Sequence, residues 1–245
     1  MIASILPAGV VAEESHADEP AAGLFPEELR LTDGMSEARR REFAAVRHCA
    51  RRAAGRLGVP AAPLLPGHRG APRWPAGVVG SMTHCPGYRA AALARAEAVR
   101  AVGIDAEPHA PVPERMARGI ALPEERERLR ALHRLDDGVC WDRLLFCAKE
   151  TVYKVWSPLT GVWLGFHEAS ITIDPDTRTF RARVLRPVPA AVEKGFPAEL
   201  HGTWTTGRGL LIAAIVLPTA PSALPSSSPA HRPRAGQYRR GANSP

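Results

Sequence analysis

Apolar residues along this chain recur in two rhythms, one every three or four positions and one that alternates or runs together, and the two rhythms take turns. Behind Ser36 as N-cap, Phe43, Val46, Ala50, Ala53 and Leu57 keep helical spacing until Gly58 stops them, which predicts a helix over about 36–57. Further on, Trp141, Leu144, Leu145, Ala148, Val152 and Val155 fall on one arc and predict a second long helix ending near Ser157-Pro158. A charged helical stretch at 123–135 precedes it. Strand patterns occupy 1–12, 88–94, 99–107, 169–173, 179–185, 201–206 and 210–217, the last two joined across Gly207-Arg208-Gly209. Pro108, Pro111 and Pro113 interrupt the chain between the two sets. The pattern predicts an α/β (α+β) fold of two halves, 1–112 and 113–218, each with one long helix on about three strands. Residues 219–245, rich in Pro and Ser and without apolar period, are expected to form a disordered basic tail.

Composition narrows the class. A chain of 245 residues, 45% hydrophobic and 23% charged, suits one large or two small soluble domains. Cys49, Cys85, Cys140 and Cys147 show no zinc-ligand or disulfide spacing, so they read as packed thiols of a reducing compartment. The first seven residues lack the basic flank and apolar core of a signal peptide, and no run approaches the roughly 18 apolar residues of a membrane span. A cytosolic protein without a membrane partner is expected. The net charge of +7 points first to nucleic acid, but Arg232, Arg234, Arg239 and Arg240 of the tail carry four of those charges and leave the body at +3. With no aromatic interleaving among the arginines of the first helix, no nucleic-acid partner is expected.

Chemistry concentrates in three segments. In Phe146-Cys147-Ala148-Lys149-Glu150-Thr151-Val152-Tyr153-Lys154, Glu150 and Lys154 lie one turn apart, opposite the buried arc. An exposed pair of that kind is worth a few tenths of a kcal/mol and needs no function. Lysine usage argues otherwise, because only Lys149, Lys154 and Lys194 among 32 basic residues are lysine, and two of them stand here. A compact ammonium is what a guanidinium cannot supply. In Val102-Gly103-Ile104-Asp105-Ala106-Glu107, residues two apart on a strand face one side, so Asp105 and Glu107 present their carboxylates together. The segment is either a solvated strand end or, with Glu150, a set of three oxygen donors for Mg²⁺. Gly80-Ser81-Met82-Thr83-His84-Cys85 adds hydroxyls and one imidazole. Arg39, Arg40, Arg41, Arg47, Arg51 and Arg52 outnumber Glu37 and Glu42 on the first helix, a surface suited to phosphates. There is neither a nucleophile paired with a base nor a glycine-rich phosphate loop, so the set points to phosphate chemistry outside the common nucleotide folds.

In this order, the three segments resemble the 4′-phosphopantetheinyl transferases of the Sfp type, especially the branch of enterobactin synthase component D. The resemblance implies the fold of that family, two pseudo-twofold-related halves with the active site between them, and a monomer. It implies coenzyme A as co-substrate, its phosphopantetheine arm passing to a serine of apo acyl carrier and peptidyl carrier proteins with release of adenosine 3′,5′-bisphosphate. The carriers would belong to polyketide, nonribosomal peptide, siderophore or fatty-acid synthesis. Asp105, Glu107 and Glu150 match the ligands of Mg²⁺, or of Mn²⁺ in its place. Lys149 and Lys154 match the two motif lysines, and Lys154 is assigned to the leaving phosphate. Glu150 or water on the metal would accept the serine proton. Thr83 and His84 resemble contacts to coenzyme A phosphates, Arg39 and Arg47 match basic positions at the 3′-phosphate, and either Arg69 or Arg73 matches a further one. Trp163 resembles a wall of the pantetheine channel, or else is a core tryptophan. The alternative is a non-catalytic module that holds coenzyme A or another polyanion. Carboxylates at all three metal positions argue against it, since acids facing phosphates gain nothing unless a cation lies between.

Overall fold

The computed structural model describes residues 1–16, 23–186 and 195–219; the tail expected beyond Thr219 lies outside the described residues. The chain opens with a 3-10 turn at Ile2–Ile5 and enters strand β1 only at Val10–Ser15. The apolar start reads as strand but behaves otherwise, because Pro7 and Gly9, at φ 89, break it and Ile2 is buried as a plug. A short helix α1 (Pro26–Leu29) leads to α2 (Glu37–Arg56), where the hydroxyl of Ser36 accepts the backbone N–H of Arg39 at 3.3 Å as the spacing predicts. Strands β2 (Val78–Cys85), β3 (Tyr88–Arg95) and β4 (Val99–Pro108) follow. Then come α3 (Glu114–Ile120), α4 (Pro123–Leu135) and α5 (Trp141–Thr160). Strands β5 (Ala169–Asp174), β6 (Thr179–Val184), β7 (Glu199–Gly207) and β8 (Leu210–Pro218) complete the order.

Two further expectations need correction. Helix α5 runs past Pro158 to a left-handed cap at Gly161 (φ 73). Its last turn closes because the Thr160 hydroxyl donates to the Trp156 carbonyl at 2.9 Å and the Gly161 N–H to the Ser157 carbonyl at 2.9 Å, so the proline removes a single donor. The strands divide three and five rather than about three in each half. One sheet has the order β1-β3-β2 and the other β4-β8-β7-β6-β5, and every ladder is antiparallel. Strand β4, sequential with the first half, bonds to β8 with Asp105 opposite Ala213. The sheets therefore part after Arg95, ahead of the prolines at 108–113 that mark the sequence boundary.

Residue alternation explains the layering. Even residues of β3 (Tyr88, Ala90, Ala92, Ala94) share a core with Val102, Ile104 and Ala106 of β4 and with Ile212 and Ala214 of β8, so the two sheets pack face to face. Ala91 and Leu93, on the other side of β3, meet Cys49, Ala50 and Ala53 of α2. On the outer face of the larger sheet, Leu211, Ala213 and Ile215 meet Leu144, Ala148, Val152 and Val155 of α5. Burial of each such valine or leucine stabilises the fold by roughly 1.5–3 kcal/mol. The order of layers is thus α2, small sheet, large sheet, α5. Contact between α5 and β4 depends on Gly103, where a Cβ would lie 2.5 Å from the Thr151 carbonyl oxygen and 2.7 Å from Val155 Cγ2. Asp105 and Glu107 share the Gly103 side of β4 and so face α5. Among the described residues no helix is long and apolar enough to cross a membrane.

Candidate active site

A cleft of about 610 Å³ opens where the two sheets meet, a size that suits a cofactor. Helix α2 lines it with Arg39, Glu42, Phe43 and Arg47, the 66–74 loop with Arg69 and Trp74, β2 with Gly80 to His84, the start of β4 with Arg100, and α5 with Glu150, Tyr153 and Lys154. Of the sequence candidates, it brings together Arg39, Arg47, Arg69, Thr83, His84, Glu150 and Lys154. Between the two loop arginines, Arg69 lines the cleft and Arg73 does not.

Asp105 and Glu107 are not part of that lining; Asp105 is buried behind it, against Thr83 and Lys154. Its Oδ1 accepts from Lys154 Nζ at 2.8 Å and from the Thr83 hydroxyl at 3.1 Å, while Oδ2 is buried with no hydrogen-bond partner. Burial and then the Asp105 charge push the carboxyls of Glu107 and Glu150 up from their ordinary range; Lys154 opposes both shifts, and Arg143 opposes that of Glu107. Glu107 is held at 3.0 Å by Arg143, which also donates to the carbonyls of Ala110 and Pro111. Among the described residues no three His, Cys, Asp or Glu side chains stand as a ready-made metal cage. The donor set is looser than the sequence implies, with Asp105 at its centre. An orphaned buried carboxylate oxygen beside two carboxyls that resist ionisation still fits a hard divalent cation, which takes few protein oxygens and completes its shell with water and phosphate.

Lys154 uses its three donors inside the protein. Besides Asp105 it reaches the Met82 carbonyl at 3.2 Å on β2 and the Ile104 carbonyl at 3.0 Å on β4. Its ion pair therefore crosses from α5 to β4, and a simple pair along the helix with Glu150 is not what the side chain forms. Lys149 departs further from expectation. It points into the core, where its ammonium meets Glu125 at 2.7 Å, both side chains 1% exposed, and donates to the Phe166 and Ala169 carbonyls. Burial pulls its pKa down while Glu125 pulls it back up. The structure removes Lys149 from the cleft because position 149 is more than a quarter turn from Glu150, on the flank of α5 that α4 covers.

The basic wall is built on carboxylates that sequence reasoning passed over. Glu42 accepts from Arg39 at 3.1 Å and from Arg89 at 3.5 Å, and lies 3.8 Å from the His84 imidazole. Arg39 also touches His84 directly. Burial first and Arg39 second hold the imidazole below its ordinary pKa, so it meets the cleft neutral at pH 7. Arg47 donates to the Leu64 carbonyl at 3.2 Å, lies 3.5 Å from the fully buried Glu28 and stacks on Phe43, and burial lowers its pKa to about 10. Arg69 has φ 54 and reaches the Gly161 carbonyl at 3.4 Å. Trp163 is no core residue, at 58% exposure; it sits outside the cleft lining but packs its ring 5.1 Å from Tyr153, which lines it. Nothing in the sequence marks Glu28, Glu42 and Glu125 out from the neighbouring acids, and apart from Arg39 beside Glu42 their partners lie far along the chain.

Residues 27–94 match the model of the 4′-phosphopantetheinyl transferase N-terminal domain and residues 101–200 that of the 4′-phosphopantetheinyl transferase superfamily. The gap between the two matches spans the turn where the sheets part. Among curated proteins, the chain is 50% identical over 220 residues to the 4′-phosphopantetheinyl transferase Svp of Streptomyces mobaraensis, covering 89% of each chain. It is 46% identical to PptT of Mycobacterium tuberculosis, over 89% of this chain and 98% of that one. Npt of Nocardia iowensis is also 46% identical, over 88% and 99%. Matches that run through both sheets and both long helices leave one assignment: this chain belongs to the 4′-phosphopantetheinyl transferase superfamily.

Proposed function

We propose that the cleft takes coenzyme A and that this chain is a metal-dependent 4′-phosphopantetheinyl transferase whose metal is Mg²⁺, or Mn²⁺ in its place. The serine hydroxyl of an apo acyl carrier or peptidyl carrier protein attacks the phosphorus that bears the pantetheine arm. A new phosphorus–oxygen bond forms as the pyrophosphate bridge breaks, and adenosine 3′,5′-bisphosphate departs with the bridging oxygen. Asp105, Glu150 and Glu107 would hold the metal, which supplies charge neutralisation at the pyrophosphate and at the attacked phosphorus. The observation that carries this reading is the buried Asp105 Oδ2, left without a hydrogen-bond partner just behind the cleft lining and near two carboxyls of raised pKa.

The protein's own residues divide the remaining work. Glu150 lines the cleft and has a pKa already raised by burial and by Asp105, so it is suited to receive the serine proton. Arg39, Arg47 and Arg69 with the neutral His84 form a wall for the nucleotide phosphates, donors of the kind that phosphate favours. Lys154 holds Asp105 in place and brings an ammonium to the cleft edge, where trading one carbonyl for a phosphate oxygen would neutralise the leaving group. The enzyme acts in this reading as a cytosolic monomer, with α2 and the small sheet on one side of the cleft and β4 and α5 on the other.

Incubating the purified chain with coenzyme A, Mg²⁺ and a panel of apo carriers, read by intact mass, tests the proposal. A carrier that gains one phosphopantetheine supports it. Tight coenzyme A binding with no mass gain on any carrier would favour the non-catalytic module instead.

A further inference from the structure

The strands that meet at the floor of the cleft belong to different sheets, and no backbone ladder joins them. β2 ends one sheet and β4 ends the other. Two such edges would normally leave rows of unpaired amides and carbonyls in the interior, each costly to bury. Side chains fill the row here. The Ser81 hydroxyl accepts the Ile104 N–H at 3.1 Å and the Thr83 hydroxyl accepts the Ala106 N–H at 3.1 Å. The partners advance together, 81 with 104 and 83 with 106, so the two strands run the same way. On the carbonyl side, Lys154 spans the seam by donating to Met82 on β2 and Ile104 on β4.

Asp105 is the residue between those two anchored amides. The Thr83 hydroxyl has one proton to give, and it gives it to Asp105 Oδ1 while accepting from Ala106. Thr83 therefore has no proton left to offer a phosphate, and Oδ1 already accepts from both Thr83 and Lys154. Oδ2 is left without a hydrogen-bond partner by distance and angle, with the buried Cys147 thiol as the neighbour of the carboxylate. A coenzyme A contact, which the resemblance implies for Thr83, is already precluded for its hydroxyl proton in this arrangement.

We propose that Ser81 and Thr83 are positioning residues for the transfer reaction: their hydroxyls replace the missing ladder between β2 and β4 and fix the Asp105 carboxylate with one oxygen reserved for the metal. The inference rests on the transferase reading above and assigns Thr83 to the metal side of the site rather than to the phosphate side.

The test compares Thr83→Val, which keeps shape and deletes the hydroxyl, with Thr83→Ser, which keeps the hydroxyl. Steady-state rates with coenzyme A and an apo carrier are joined by two binding measurements, calorimetry with adenosine 3′,5′-bisphosphate and Mn²⁺ titration followed by electron paramagnetic resonance. Thr83→Val should lower kcat and weaken Mn²⁺ by about 10- to 100-fold, as loss of a group that orients a ligand does, with bisphosphate affinity within about twofold of wild type. Thr83→Ser should recover most of both. Weakened bisphosphate with Mn²⁺ unchanged would overturn the proposal in favour of a phosphate contact. Equal losses in Thr83→Val and Thr83→Ser would overturn it in favour of a packing role, and no loss in either would overturn it outright. Should Thr83→Val fail to melt cooperatively, Ser81→Ala carries the test, with the same direction expected and a smaller loss, because Ser81 holds the neighbouring amide of Ile104 and not Asp105 itself. An unmodified carrier with wild-type enzyme is a failure of the transferase reading, and the Mn²⁺ and bisphosphate titrations still decide the role of Thr83.

Discussion

Two lysines five residues apart in one helix do unlike things, and the difference lies in the angle each makes with the helix axis. Lys154 faces the seam between the sheets and touches Asp105; Lys149 is sealed against Glu125. A buried pair of that kind contributes little net stability, yet removing one partner strands the other charge, with a loss of about 3–5 kcal/mol. Lys149→Met should therefore lower the unfolding free energy by about that much in denaturant melts, and adding Glu125→Leu should return most of it. A Lys149→Met protein with wild-type stability and no transfer activity would instead put Lys149 in the reaction. The sequence made the lysines conspicuous by their rarity, and the structure gives each ammonium a carboxylate partner, Glu125 for Lys149 and Asp105 for Lys154. Rarity could not separate them, because composition reports that an ammonium is needed and not what it meets.

At the level of elements, most boundaries were legible where the hydrophobic period and an end signal agree, as at Ser36 and Gly58 around α2 or at Pro123 opening α4. The exceptions have local causes. Pro158 suggests an end to α5 because proline usually breaks helices, but one missing donor in a last turn is tolerated. Strand β4 was placed with its neighbours in sequence, whereas its run of apolar residues on both faces fits a strand covered on two sides, by the small sheet and by α5. That double cover makes Gly103 a critical residue. Gly103→Ala should wedge α5 from β4, lowering stability by about 1–3 kcal/mol as overpacking does, and should depress transfer further by moving Glu150 from Asp105. A melting temperature unchanged by the substitution would show that the helix does not rest on the strand there.

For the whole molecule, the candidate site exists because two sheets packed face to face bring their edge strands β2 and β4 together, and each long helix covers the outer face of one sheet. Neither sheet alone carries the set: Thr83 and His84 come with β2, Asp105 and Glu107 with β4, Glu150 and Lys154 with α5, and Arg39 and Arg47 with α2. This is why the candidate site shows in the sequence as an ordered trio of segments, while the hydroxyl seam and the buried glutamates under the arginines do not; those depend on pairings such as Ala106 with Thr83 and Leu64 with Glu28 that no spacing reveals. The central claim is that the Asp105 carboxylate organises metal-dependent transfer. Initial rates of carrier modification by Asp105→Ala, with wild type alongside and melting curves confirming that the variant is folded, test it most directly. The account predicts a fall of several kcal/mol in transition-state stabilisation, or at least about a hundredfold in rate, that added Mg²⁺ does not restore. A folded Asp105→Ala protein that modifies its carrier at close to the wild-type rate would contradict it.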